Sequence, residues 1–479
     1  MVSSILLKTV KLKDERILAF GLGFLSRVIS EIIAGKYPVG YDTSTYYVLF
    51  AVEMNWFKQI SHAPLYQYIL FLVVMALGGN ILIAIKILSC FICGFFTYSL
   101  YIWGQSNGIS KENLLKFVAI VYFYFAVFRI AWDLQRNVLG LSLVLLTFSY
   151  YKKSKNILVV GMLGFLACIS HQFSAFVLLA LFIPELMKPN IRVITTLFAG
   201  LIGFAVIVFF TWGTNLESVL ASITIFYGKK YIYVPIHLMP LFIFWLSLPI
   251  LPFILWYIYG FFNKEFGGIF KYINKNNISW VLLTFILAPI FVIYYRLIFM
   301  AFIPIILFVF NVVVSSDKKN AMRLLILAVA FSSSIYPAVS YVYPMYSEFR
   351  KTAPGCLFAS TVAPWDAQHF ENLFREAISI IMSKKNVTLI VHHLQIAIAY
   401  AAGVDLLGQN VYITSADDTF EEPLRVVLNM SDGALIVWYV TPIVGAWSLP
   451  NGNFTKISQS GSVALYLYFS CAINKFNGA

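Results

Sequence analysis

Apolar runs of helix length fill the chain from Ile17 to about Tyr343, separated by short gaps that hold most of its charges. About eighteen apolar residues at 1.5 Å per residue cross a hydrocarbon core of roughly 30 Å, and water-soluble cores need no such runs. The pattern predicts eleven spans, at about 17–34, 81–104, 116–131, 138–151, 156–170, 173–187, 193–212, 236–260, 278–295, 297–314 and 323–342. The fourth to sixth are short for a full crossing. A further apolar stretch, His62 to Asn80, is expected to lie along the outer surface as a helix within the first outer loop (about 35–80), ended by Gly78 and Gly79. After Pro344 the pattern changes to short β-rich runs, 387–391, 411–414 and 434–440. Helical patterns at about 366–383, 394–407 and 421–429 alternate with them, which predicts an α/β domain with a largely parallel sheet. The expected fold is thus an α-helical polytopic membrane protein of about eleven transmembrane helices (1–343), followed by a soluble α/β domain (344–479).

Composition supports the membrane class: 60% of residues are hydrophobic and 11% charged, far from soluble averages. The net charge of +13 would suit nucleic acid, but the charges form no basic stripe on a soluble face. They lie in loops, where they set topology. With the N-terminus in the cytoplasm, the inner loops collect Lys8, Lys11, Lys13, Arg16, Lys111, Lys116, Lys152, Lys153, Lys155, Lys188, Arg192, Lys264, Lys271, Lys275, Lys318, Lys319 and Arg323. The outer loops hold only Lys36, Lys58, Arg129, Arg136, Lys229, Lys230 and Arg296. An odd span count then puts the α/β domain outside a multi-pass plasma-membrane protein. Were His62–Asn80 a span, every later loop would invert and the bias would be lost. No cleavable signal peptide is read, because the first run carries Arg27 and Glu31, spaced as a structural intramembrane pair.

Five cysteines add little. Cys90 and Cys93 form a C-x-x-C inside a helix-length apolar run, where buried thiols are the simpler reading. Cys356 and Cys471 bracket the α/β domain and could pair in an oxidising compartment. The three sequons, at Asn386, Asn429 and Asn453, all fall in that domain.

Charges at the edge of a membrane domain are costly and therefore candidates for function. Asp42, just after the first span, could be a general base for an attacking hydroxyl. It could equally ligate a divalent ion that neutralises a phosphate, or cap a helix beginning at Thr43. Arg129, Asp133 and Arg136 are spaced so that one helical face would carry all three. Asp133 could serve as a second acid or metal ligand, or as a structural ion-pair partner. Arg296, between two spans, could grip a lipid phosphate or snorkel to headgroups. His171 could bind substrate or act in packing, and Lys229 and Lys230 could attract an anion or bind headgroups.

Gly40-Tyr41-Asp42-Thr43, followed by His62-Ala63-Pro64-Leu65-Tyr66, resembles the first outer loop of the GT-C superfamily of polyprenyl-phosphate-sugar-dependent glycosyltransferases. Arg129 to Asn137 is similar to the place where many members carry an Arg/Asp cluster, and Ser170-His171-Gln172 to a recurrent outer-facing polar turn. The likeness covers about residues 10–190, the later spans matching only in layout. It implies transfer of a sugar from a polyprenyl- or dolichyl-phosphate donor, outside the cytoplasm, to a lipid-linked or surface glycan or protein acceptor. Asp42 and Asp133 would be catalytic, and Arg129, Arg136, His171, Arg296 and His62 would bind donor phosphate or substrate. A divalent metal, Mg or Mn, on Asp42 and Asp133 stays open, since no D-x-D or E-x-D stands in the first loop. No W-W-D-Y-G-like block follows either, which disfavours protein N-glycosylation. Two other classes compete: a transporter or flippase of lipid-linked saccharides, and a membrane-anchored surface assembly protein.

Overall fold

The computed structural model describes residues 15–53, 64–154, 156–212, 239–287, 294–316, 318–342, 364–383, 386–414, 420–440 and 454–469. The protein is mostly helical, with a small five-stranded sheet near the C-terminus. Its chain forms two compact units, one of residues 1–30, 60–72 and 87–355, the other of residues 31–59, 73–86 and 356–479. Three helices, Glu15–Ile33, Pro64–Ala76 and Ile81–Ser106, begin in one unit and end in the other.

A helix stands at each position where a span was expected. Ile81–Ser106, Ile191–Val208 and Arg296–Ser315 are long and apolar enough to cross a membrane, and the bent pair Lys111–Phe123 with Phe125–Trp132 would make a fourth. Eleven full crossings do not follow from helix length. Ile157–Ser170 and Gln172–Leu186, of 14 and 15 residues, reach only about 21–23 Å at the α-helical rise. His62–Asn80 does hold a helix, Pro64–Ala76. It ends at Gly78 and Gly79, both at positive φ, where the Gly79 N–H bonds back to the Val74 carbonyl at 2.9 Å.

The first unit is a helical bundle with an apolar exterior. Leu25, Ile29, Leu158, Met162, Phe198, Leu201, Leu324, Leu327 and Phe331 are each more than half exposed, a surface that suits lipid rather than water. Inside, the helices touch backbone to backbone. A Cβ on Gly23 would lie 2.2 Å from the Cys93 carbonyl oxygen, and one on Gly203 2.7 Å from that of Phe165. Larger contacts are aromatic, such as Trp103 with Trp280 at 6.4 Å and Phe117 with Phe310 at 5.4 Å.

Polar side chains gather where helices end. At one end the Tyr151 hydroxyl donates to Glu185 (3.2 Å), the Asn190 amide to Tyr151 (3.3 Å), Arg192 to the Ser154 carbonyl (2.8 Å) and Asn276 to Glu185 (2.9 Å). Lys153 reaches Gln105 there at 2.7 Å, and Asn277 reaches Asn107 at 2.9 Å. The gaps after residues 106, 153, 186 and 262 therefore meet at one end of the bundle.

In the second unit, the sheet has strand order β2-β1-β3-β5-β4, with β1 Val387–Val391, β2 Val411–Ile413, β3 Gly433–Tyr439, β4 Phe454–Ser460 and β5 Val463–Phe469. β1 runs parallel to β2 and β3, while β5 is antiparallel to β3 and β4. The sheet is mixed rather than largely parallel because a hairpin turning at Gly461 (φ +56) extends it. Side chains alternate along β3, so each face meets its own helix. Trp438 packs on Phe420 beside the helix Glu421–Leu428, and Tyr439 packs on Phe370 of the helix Pro364–Ser383, at 5.0 and 5.1 Å between rings. That second helix buries Ala367, Phe370, Glu371, Phe374 and Ala377, the i, i+3, i+4, i+7 stripe of an amphipathic helix.

Candidate functional site

Asp42 sits in a one-turn helix, Tyr41–Ser44, and is 3% exposed. It lies inside that turn rather than ahead of it. Gly40, at φ +105, turns the chain into the helix in a conformation that side chains disfavour. The Thr43 hydroxyl donates to the carbonyls of Val39 and Gly40, the latter at 2.8 Å. Glu31, near the end of the first helix, accepts the Val39 N–H at 3.1 Å and pairs with Lys86 at 3.7 Å. A buried carboxylate and a helix end thus fix the segment that carries Asp42.

The same segment is tied to the C-terminal part of its unit. Glu371 accepts two bonds from the Lys36 ammonium, each 3.0 Å, one from the Tyr37 hydroxyl at 2.6 Å, and one from Arg375. Burial alone would raise this carboxyl, but the bonds from Tyr37 and Lys36 and the charges of Lys36 and Arg375 outweigh it and hold the pKa below the usual value. Tyr37 moves the other way: burial, then the bond to Glu371, raises its phenol.

The Asp42 helix packs against the 3-10 turn His393–Gln395, and the helix Tyr46–Glu53 packs on Ile396–Ala402. This turn follows β1 directly. The His393 N–H bonds to the Thr414 hydroxyl at 3.1 Å, just past β2, and the Gln395 amide donates to the Val437 carbonyl in β3 at 3.2 Å. His392 packs at a tilt against His393, Trp438 and Phe420, with ring centroids at 4.3, 4.8 and 5.4 Å. Burial first, and the neighbouring His393 second, push its pKa well below that of a free histidine, so the imidazole is neutral at pH 7. None of His392, His393, Gln395 and Glu371 was singled out by sequence reasoning. A His-His pair directly after a strand with parallel neighbours was the available signal, since ligand sites of α/β sheets form beyond the carboxyl ends of strands.

The remaining candidates belong to the other unit. Arg129 and Arg136 are buried, at 4% and 8% exposure. They do not share one helical face: Leu134, at φ −93° and ψ 60°, separates Phe125–Asp133 from Gln135–Lys153. Side chains cover two carbonyls just before the break. Arg27 donates to the Trp132 carbonyl and lies 5.3 Å from its ring, Cys93 donates to Ala131 at 3.2 Å, and Gln135 also reaches Ala131, at 2.8 Å. Cys93 therefore works as a buried hydrogen-bonding thiol. His171 caps the helix Gln172–Leu186, its Nδ1 accepting the Phe173 N–H at 3.2 Å.

Helix order brings these residues to one end of the bundle. A Cβ on Gly140 would lie 2.1 Å from the Ser174 hydroxyl and 3.3 Å from the Ala167 carbonyl, so the helices starting at Gln135 and Gln172 begin side by side. The helix Tyr294–Ser315 packs on Phe125–Asp133, with Tyr124 stacked on Phe302 at 5.6 Å, and it carries Arg296 in its first turn. Arg129, Arg136, His171 and Arg296 thus occupy the end opposite the Tyr151–Glu185 network. Asn137, 1% exposed, has neither amide atom hydrogen-bonded among the described residues. The Asp133 side chain, His62, Lys229, Lys230, Asn453, Cys356 and Cys471 lie outside the description. Among the described residues, no group of three His, Cys, Asp or Glu side chains could hold a metal ion. Comparison with protein-family models, with curated proteins and with solved structures gives no match.

Proposed function

We propose that the protein is a membrane glycosyltransferase of the GT-C type, working on the outer side of the plasma membrane. The observation that carries the reading is Asp42: a buried carboxylate on a single helical turn, held by Glu31, Thr43 and Gly40 on one side and by the His393–Gln395 turn on the other. Pre-organisation of this kind suits a group that must meet a reacting atom in fixed geometry. In the reaction, an acceptor hydroxyl attacks C1 of the donor sugar and its proton passes to the Asp42 carboxylate. The C1–O bond to phosphate breaks, and polyprenyl phosphate leaves with one more negative charge. Charge-assisted hydrogen bonds stabilise such a leaving phosphate, and Arg129, Arg136 and Arg296 are the residues to which the family resemblance would give that role. The donor tail would stay among the apolar helices, and the polyprenyl chain explains why so much membrane surface accompanies one acid.

Loop charge supports the expected sidedness, N-terminus inside and α/β domain outside. It agrees with the way the lysine-rich gaps meet at one end of the bundle. The bend of 73° between Lys111–Phe123 and Phe125–Trp132 favours a second reading, since broken helices line the pathways of transporters. One experiment separates them: transfer from radiolabelled polyprenyl-phosphate sugars in membranes, wild type against Asp42→Asn. A general base accounts for about 10²–10⁴-fold in rate, and a loss of that size in the isosteric variant is expected. Equal transfer by both proteins would remove Asp42 from the chemistry, and no transfer from any donor would favour the flippase.

A further inference from the structure

The C-terminal sheet has its topological switch beside β1, which leads to β2 on one side while β3 lies on the other. In open sheets the crevice beyond the carboxyl ends of such strands is where ligands bind. His392 and His393 stand there, Thr414 follows β2, and Val437 belongs to β3. We propose that the turn His392–Gln395 is the acceptor-binding half of the Asp42 site and that it takes the hydroxyl groups of a saccharide. The proposal rests on the glycosyltransferase reading and adds to it the residues and the ligand chemistry of the acceptor side.

Three observations carry it. Gln395 is 1% exposed and spends its amide N–H on the Val437 carbonyl, while its Oε1 has no hydrogen-bond partner among the described residues. An orphaned buried acceptor needs a donor. A sugar hydroxyl supplies one, whereas the oxygens of an ionised phosphate diester cannot. Next, the Asp42 helix packs on this turn, so a hydroxyl bound at the turn is adjacent to the segment that carries the proposed base. Last, the rings of Phe420 and Trp438 pack at a tilt against His392. Apolar and aromatic walls with a few convergent polar atoms are the usual make-up of small-molecule sites. A neutral imidazole offers one donor and one acceptor, the complement of a hydroxyl.

The test uses the full-length protein in detergent, with methyl glucoside, methyl galactoside, methyl mannoside and methyl N-acetylglucosaminide as probes. The readout is tryptophan fluorescence, with the contribution of Trp438 taken as the difference from Trp438→Phe. At least one glycoside is expected to change the Trp438 signal saturably, and His393→Ala and Gln395→Leu are expected to weaken that binding tenfold or more. His393→Gln keeps a hydrogen-bonding group and should recover part of the loss, while a shared melting temperature shows that the variants fold. In transfer assays the same two variants should raise the acceptor KM more than they lower kcat. A Trp438 signal that no glycoside moves, or that survives both substitutions, overturns the proposal. Glycoside binding that depends on His393, without transfer from any donor, would sink the transferase reading and leave the saccharide site standing. Normal transfer with an unchanged acceptor KM in Gln395→Leu would do the reverse.

Discussion

Glu371 occupies a buried position on its helix, in the same stripe as Phe370 and Phe374. A carboxylate there is tolerable only because Lys36, Tyr37 and Arg375 surround it, since an unpaired buried charge is strongly destabilising. Its folded pKa is depressed. The ionised form therefore adds stability above the unfolded value of about 4.3, and that stability is lost as pH falls through the folded pKa. Melting temperatures of wild type and Glu371→Gln should differ most near pH 7 and converge in acid below about pH 4. A constant gap across that range would mean that the carboxylate contributes shape rather than charge. Nothing local in the sequence could reveal this cluster, because Lys36 and Glu371 are 335 residues apart. Asp42 stands out in the sequence as an acid between apolar runs, but its burial does not show there. Arg129 and Arg136 were legible as residues, but their shared face was not, since no Gly or Pro announces the break at Leu134.

At the scale of elements, apolar periodicity located the helical stretches, because buried and outward-facing positions are both apolar and only the polar gaps interrupt them. The stretch 236–260, however, holds two helices, Met239–Ser247 and Leu251–Phe262. The fold of the pair at Tyr124 went unseen for the same reason: residues 116–131 read as one uninterrupted run, and the bend is made by a buried tyrosine in extended conformation. The β4–β5 hairpin did leave a trace, the dipeptide Gly461-Ser462 between alternating segments, which is a favoured hairpin turn. Contact between helices offers a sharp test. Gly23 meets the Cys93 backbone, whereas Gly21, on the same helix, has nothing within 4 Å of its would-be Cβ. Gly23→Val should cost about 1–3 kcal/mol through overpacking, read as a lower melting temperature in detergent. Gly21→Ala should be neutral or slightly stabilising, as helix propensity dictates. Equal effects of the two would show that the close approach does not hold the helices.

At the scale of the whole molecule, the apolar exterior of the first unit suits a bilayer, and the sidedness proposed from loop charge can be tested directly. Single cysteines at exposed Lys188 and exposed Gln409, in a background with the five native cysteines replaced, would report sidedness. A membrane-impermeant maleimide added to intact cells should label Gln409→Cys and spare Lys188→Cys until the membrane is opened. The opposite pattern would invert the topology and remove the donor chemistry from the outer face.

Three helices are shared between the compact units, and the segment bearing Asp42 belongs to the same unit as the last strands of the chain. Translation at about 5–20 residues per second separates the emergence of Lys36 from that of Glu371, 335 positions later, by roughly 15–70 s. Through that interval the ribosome has delivered the acid but neither its clamp nor the turn beneath it. A truncated product ending in the last membrane helices would carry Asp42 without the partners that hold its segment. On the glycosyltransferase reading, such a fragment would hold the proposed base in a segment without the contacts that fix it, and a product cut short before Glu371 should transfer no sugar.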